Sequence, residues 1–291
     1  MRRIIFLLSV SLVIIGLIIT SIGCSSGGAE TLSPKPRLRV ATTTSLYDTG
    51  LWGYLEPMFE EKHGVELDVL YAGTGIALEY GRRGDVDVIT VHSRSREEEF
   101  VAEGYGIERV PFAYNHFLIV GPESDPAGIK GMTPEEAFKK LADASSASFV
   151  SRGDDSGTHG KEKAIWRSAG FDYETVREAG TWYVEVGRGM GPTLLMASDK
   201  GSYTITDIGT FLALKDKLDL VPLVDDGSAL LNVYSVIAVS PEKNPKVKYE
   251  MAQKMVDFLI SAEIQELIGS YGVKKYGMPL FNPGAGNEPR S

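Results

Sequence analysis

Three times along the chain a short apolar run gives way to a turn of hydroxyls and glycines, and each turn opens a helical pattern: ATTTS at 41–45, YAGTG at 71–75 and FVSRGDDSGTH at 149–159. Repeated strand, turn and helix units call for an α/β architecture, a sheet flanked by helices. In open sheets of that kind ligands bind at the carboxyl ends of the strands, where these turns fall. The periodicity predicts strands at Leu38–Ala41, Val65–Tyr71 and Asp87–Val91. Between the first two lies a helix with Leu51, Trp52, Leu55, Met58 and Phe59 toward the core, kinked or split at Pro57 and stopped by Gly64. A short helix starts near Ile76.

Two further apolar strands, Phe117–Val120 and Tyr234–Val239, each run into a proline, and they read as hinge crossings between two lobes. A long amphipathic helix from Val247 to about Ser270 is expected to cover a sheet. The expected partition is lobe 1 from 38–115 and 233–291, and lobe 2 from 116–232.

Residues 1–23 read as an export signal: Arg2 and Arg3 precede an almost uncharged apolar run, Ile4 to Ile22. The run is long enough to span a bilayer if left uncut. Cys24 closes the stretch Ser21-Ile22-Gly23-Cys24, which resembles a bacterial lipobox with serine in the place of the usual leucine. Lipidation of Cys24, or an uncleaved N-terminal helix, would each tether an extracytoplasmic domain, with the Ser/Gly/Pro-rich segment 24–37 as flexible linker. Cys24 is the single cysteine, so no internal disulfide is available. Without the signal's two arginines the formal charge moves from −9 to −11, which argues against nucleic acid as a partner. A local positive pocket is unaffected, because salt screens the net field beyond about 8 Å.

The 149–159 cluster admits three chemistries. A hydrolase fails on spacing: Ser156 is one residue off the Gly-x-Ser-x-Gly elbow, and His159 is a chain neighbour rather than a distant partner. A metal site lacks ligand pairs, since His63, His92, His116 and His159 form no short motif. Asp154 and Asp155 could take a hard cation, but adjacent carboxylates at a turn more often cap a helix. An anion site fits: Ser156-Gly157-Thr158 opens a helix whose start offers free N–H groups, and Arg152 adds a planar fork of donors. An ordinary capped turn competes with each such motif singly, and three in one chain weigh against it.

From Leu38 to about Leu280 the chain resembles the solute-binding proteins of tungstate ABC transporters, with the two-lobed periplasmic-binding fold of type II. The resemblance rests on ATTTS, YAGTG, FVSRGDDSGTHGKE (149–162) and YTITDIGT (203–210). It implies two mixed sheets flanked by helices, two hinge crossings and an oxyanion held between the lobes. The residues it carries over are Thr44, Ser45, Thr74, Arg152 and Thr158, with Ser156 and Gly157 donating from the helix start. Tyr203 is a weaker candidate, since core or hinge packing suits it equally; Arg188 reads equally as a solvated loop residue. The implied ligand is tungstate or molybdate, without cofactor or enzymatic activity. The implied partners are permease and ATPase subunits, with the membrane reached through the lipid anchor and the receptor a monomer.

The nearest rival is a phosphate receptor, because Arg152-x-Asp154-x-Ser156-Gly157-Thr158 resembles that turn as well. Phosphate keeps a proton near neutral pH and needs an acceptor such as Asp154. The expectation is that Asp154 instead pairs with Arg152 or caps the helix. A membrane-anchored hydrolase and a ligand-free scaffold are the remaining alternatives.

Overall fold

The computed structural model describes residues 35–144 and 147–289; the signal, Cys24 and all but the last residues of the linker lie outside them. The chain opens with β1 (Arg37–Thr43), α1 (Thr44–Asp48), α2 (Leu51–His63), β2 (Glu66–Ala72), α3 (Thr74–Arg83), β3 (Val88–Val91) and α4 (Arg94–Ala102). It continues through β4 (Val110–Gly121), α5 (Pro134–Asp143), β5 (Phe149–Ser151), α6 (Gly157–Ser168), α7 (Tyr173–Arg177), β6 (Tyr183–Glu185) and α8 (Met190–Lys200). Then come β7 (Thr204–Asp207), α9 (Ile208–Leu214), β8 (Val221–Val224), β9 (Leu231–Ala238), α10 (Tyr249–Ile260), α11 (Ala262–Ser270), α12 (Val273–Tyr276) and β10 (Asn282–Pro283).

The first sheet runs β10-β4-β9-β3-β1-β2, with β1 parallel to β2 and β3, and β9 antiparallel to β3 and β4. Side chains alternate across it. Leu38, Val40, Val88 and Val236 face a core shared with α2, α10 and α11. Ala41, Ile89, Val91 and Ile237 face a second core with α3 and α4. This is the period-two burial expected of strands covered on both faces.

β4 belongs to two sheets. Its first half, to His116, pairs with β9; from Phe117 to Val120 it pairs antiparallel with β7, and Ile119–Gly121 meets β8. The β5–β6 pair joins this second sheet through a parallel bridge between Phe149 and Tyr203. Phe117, Ile119, Phe149 and Ile205 pack on α5 and α6, while Leu118, Val120 and Val150 pack on α8 and α9. The protein is therefore a mixed α/β structure with two three-layered lobes. One crossing lies inside β4. The other falls between β8 and β9, so Tyr234–Val239, read from sequence as a crossing, lies within the first sheet instead.

Two helices differ from expectation. α2 is not split at Pro57, because Leu51, Trp52, Leu55 and Phe59 all bury in one core and outweigh the roughly 3 kcal/mol cost of an interior proline. Gly64 ends it in the left-handed conformation, as predicted. The long C-terminal helix breaks at Ser261, whose extended backbone ends α10 and begins α11. The Ser261 hydroxyl donates to the Phe258 carbonyl at 2.7 Å, offering the chain an alternative to the helical ladder.

Candidate anion-binding site

A cavity of about 330 Å³ lies between the lobes. Thr43, Thr44, Ser45, Gly73, Thr74 and His92 wall it from the first lobe, and Arg152, Asp154, Ser156, Gly157 and Gly189 from the second. The wall is built from helix starts. α3, α6 and α8, of 10, 12 and 11 residues, begin at Thr74, Gly157 and Met190, and the single-turn α1 begins at Thr44. Each longer helix presents about half a positive charge and unpaired N–H groups at its start. Gly73 and Gly189, the N-caps of α3 and α8, have no side chain to cover those groups.

The hydroxyls are arranged to give rather than take. Thr74 is buried, and its Oγ1 has no hydrogen-bond partner among the described residues. Ser45 Oγ lies 3.2 Å from His92 Nε2 and 3.4 Å from Thr43 Oγ1. Burial lowers the His92 pKa to about 4, so the ring is neutral at physiological pH and can donate from Nε2 to Ser45. Trp52 Nε1 donates to Thr42 at 3.0 Å and fixes the strand end that carries these residues.

Arg152 is buried, and its guanidinium donates to Asp154 Oδ2 from Nε at 3.1 Å and from Nη2 at 2.5 Å. Nη1 points to Thr158 Oγ1 at 3.5 Å. The other Asp154 oxygen accepts the Ser156 amide at 3.2 Å. The arginine loop rests on a buried network. Glu162 accepts from Ser151 Oγ, Trp166 Nε1 and Tyr183 hydroxyl at 2.7, 3.2 and 2.5 Å, and Ser151 Oγ accepts the Gly153 amide at 3.2 Å. Loss of solvent pushes the Glu162 pKa up to about 7. Asp155 takes the left-handed conformation at φ 56°, uncommon for a residue with a β-carbon, and its amide donates to His159 Nδ1 at 3.0 Å.

The structure thus brings Thr44, Ser45, Thr74, Arg152, Ser156 and Gly157 to one cavity. Thr158 stands beside Arg152 rather than on the wall. Tyr203 drops out as a wall residue: it is fully buried, its hydroxyl donating to Asp125 Oδ1 at 2.9 Å and accepting the Ala127 amide at 2.8 Å. Arg188 is exposed, one residue before Gly189. His92 and Gly189 were missed. His92 directly follows β3, so the rule that sites collect at strand carboxyl ends could have found it. Gly189 had only the loop-like GRGMGP to announce it.

Ser156 Oγ accepts the His159 amide at 3.3 Å as helix cap, while His159 Nε2 lies 2.6 Å from the Tyr173 hydroxyl. The serine and histidine of the motif therefore do not face each other as nucleophile and base. Among the described residues, no group of three or more His, Cys, Asp and Glu is placed to hold a metal ion. No helix there is long and apolar enough to cross a membrane.

Residues 29–263 match the family model for the PBP superfamily domain. The chain is 43% identical to the tungstate-binding protein TupA of Peptoclostridium acidaminophilum over 96% of its own length and 98% of the relative's. Among solved structures, the tungstate-binding protein TupA of Desulfovibrio alaskensis G20 superposes with a TM-score of 0.77 at 42% identity, over 86% of this chain and 99% of that one. The tungstate ABC transporter protein of Geobacter sulfurreducens gives 0.72 at 48% identity, over 82% and 100%. With the family model covering most of the chain and relatives above 40% identical over nearly its whole length, the chain belongs to the PBP superfamily and, within it, to the family of tungstate-binding proteins.

Proposed function

We propose that the chain is the extracytoplasmic receptor of an ABC importer, holding tungstate between its lobes and presenting it to a membrane permease driven by an ATPase. The relatives named as tungstate-binding proteins support this reading. One observation carries it at the level of chemistry: the cavity offers Arg152, hydroxyls and helix starts, while both oxygens of its carboxylate, Asp154, are already occupied. Tungstate is a tetrahedral dianion with no proton to give. Hydrogen phosphate has one to donate, whereas Asp154 is already engaged by three hydrogen bonds from Arg152 and the Ser156 amide.

Charge-assisted hydrogen bonds contribute about 1.5–3 kcal/mol each, so some six could reach the roughly 12 kcal/mol of a nanomolar complex after ordering costs. Thr44, Ser45, Thr74, Arg152 and the amides after Ser156 are the proposed donors. Molybdate, with the same shape and charge, should compete for them. The receptor acts without cofactor and without turnover. Closure of the lobes on the anion would be the signal read by the permease. We also place lipid on Cys24, so that the linker tethers a monomeric receptor at the membrane; a Cys24→Ala chain recovered in the medium rather than the membrane fraction would support this, and retention would oppose it.

Calorimetric titration with tungstate, molybdate, sulfate and phosphate tests the main reading. Tungstate and molybdate should bind far more tightly than the other two. Phosphate binding as tight as tungstate would overturn it.

A further inference from the structure

A second cavity, of about 530 Å³, adjoins the cleft and shares His92, Ser156 and Gly157 with it. It lies between α4 of the first lobe and α6 of the second, and its lining includes Arg94, Arg96, Lys161, Lys163 and Arg167 against the single carboxylate of Glu98. The chain as a whole carries a formal charge of −9, so this concentration of cations opposes the molecule's own balance. Some are partly neutralised: Arg94 pairs with Glu98 at 2.8 Å, and Asp155 pairs with Lys163 at 3.1 Å and reaches Arg96 at 3.9 Å. Arg167 makes no ion pair among the described residues.

The groove leads inward. Arg96 Nη1 lies 3.5 Å from where a β-carbon on Gly75 would stand, at the start of α3 and the edge of the cleft. Lys161 donates to the Leu231 carbonyl at 2.9 Å and lies 5.9 Å over the Phe117 ring, touching both crossings between the lobes. His92 and Gly157 pack together where the two cavities meet: a β-carbon at Gly157 would come within 2.6 Å of the His92 ring.

We propose that the groove is an outer anion station, an electrostatic vestibule that captures the tetrahedral dianion and hands it to the adjoining cleft as the lobes part at the His92–Gly157 contact. The proposal deepens the receptor reading and rests on it. An acidic protein repels a dianion at long range. Within about a Debye length, roughly 8 Å at physiological salt, the local cations dominate. Opposed like charges on low-dielectric walls focus the field and raise encounter rates. Arg96 and Arg167 should therefore govern how fast the anion arrives, and the cleft donors how long it stays.

The test is stopped-flow tryptophan fluorescence with tungstate on the full receptor domain, in Arg96→Gln, Arg167→Gln and the double variant, over a range of salt. Association rate constants should fall roughly threefold to tenfold at low salt, with a flatter salt dependence and unchanged dissociation. Arg83→Gln, outside the groove and paired with Asp85, should match the parent. Unchanged association in the double variant, or a loss confined to dissociation, overturns the vestibule. Absence of any tungstate binding to the unsubstituted protein by calorimetry would instead overturn the receptor reading itself.

Discussion

Arg152 and Asp154, two residues apart, close a two-bonded pair in which the guanidinium gives Nε and Nη2 and keeps Nη1 for Thr158. The pair fixes the plane of the fork before any anion arrives. Lysine would keep the charge and lose both the fork and its orientation. Arg152→Lys is predicted to weaken tungstate binding by about 2 kcal/mol or more, roughly thirty-fold, in calorimetry. Near-parental affinity would show that the fork is not used.

Thr74 presents a different balance, because its Oγ1 is buried without a partner among the described residues. Such a group costs about 1–3 kcal/mol, and the isosteric valine removes that cost. Thr74→Val should hold or raise the melting temperature of the free protein while reducing tungstate affinity roughly tenfold. A variant that loses stability and keeps its affinity would contradict a ligand role.

Gly157 needs its missing side chain. A β-carbon would stand 2.6 Å from Cε1 of His92 on the opposing lobe, well inside contact distance. Gly157→Ala is expected to hold the lobes apart and weaken binding at least tenfold. Its effect should be non-additive with His92→Ala in a double-mutant cycle, since the second change removes the clash. Simple additivity would count against the contact.

Glu162 sets a pH dependence. Its folded-state pKa of about 7 lies above the ordinary 4.5, so between those values the native chain holds more protons than the unfolded one. Stability from this group is complete below the ordinary value, is lost as pH rises through about 7, and amounts to about 3 kcal/mol in total. Glu162→Gln should flatten the melting temperature between pH 5 and 8, and should equal or exceed the parent at the alkaline end. An unchanged slope would mean that Glu162 stays ionised throughout.

The turns were legible because a strand end that must leave N–H groups free draws hydroxyls and glycine, and those residue types survive in the letters. Thr44, Ser45, Thr74, Arg152, Ser156 and Gly157 could be found that way. Tyr203 could not be sorted, because its hydroxyl is claimed by Asp125 and Ala127, more than 70 residues upstream. His92 carried no motif; its importance comes from its neighbours in space. The breaks were equally non-local. Pro57 is overruled by a core assembled from distant strands and helices, and Ser261 divides a pattern that looks continuous along the sequence.

β4 is one uninterrupted strand laced into both sheets, antiparallel to β9 on one side of Phe117 and to β7 beyond it. A shared ribbon of this sort can flex or twist, but its two ends cannot slide past each other without unzipping a sheet. Each half therefore returns to the same alignment after every excursion, and the positions of the facing loops are stored in the backbone rather than rebuilt at each encounter.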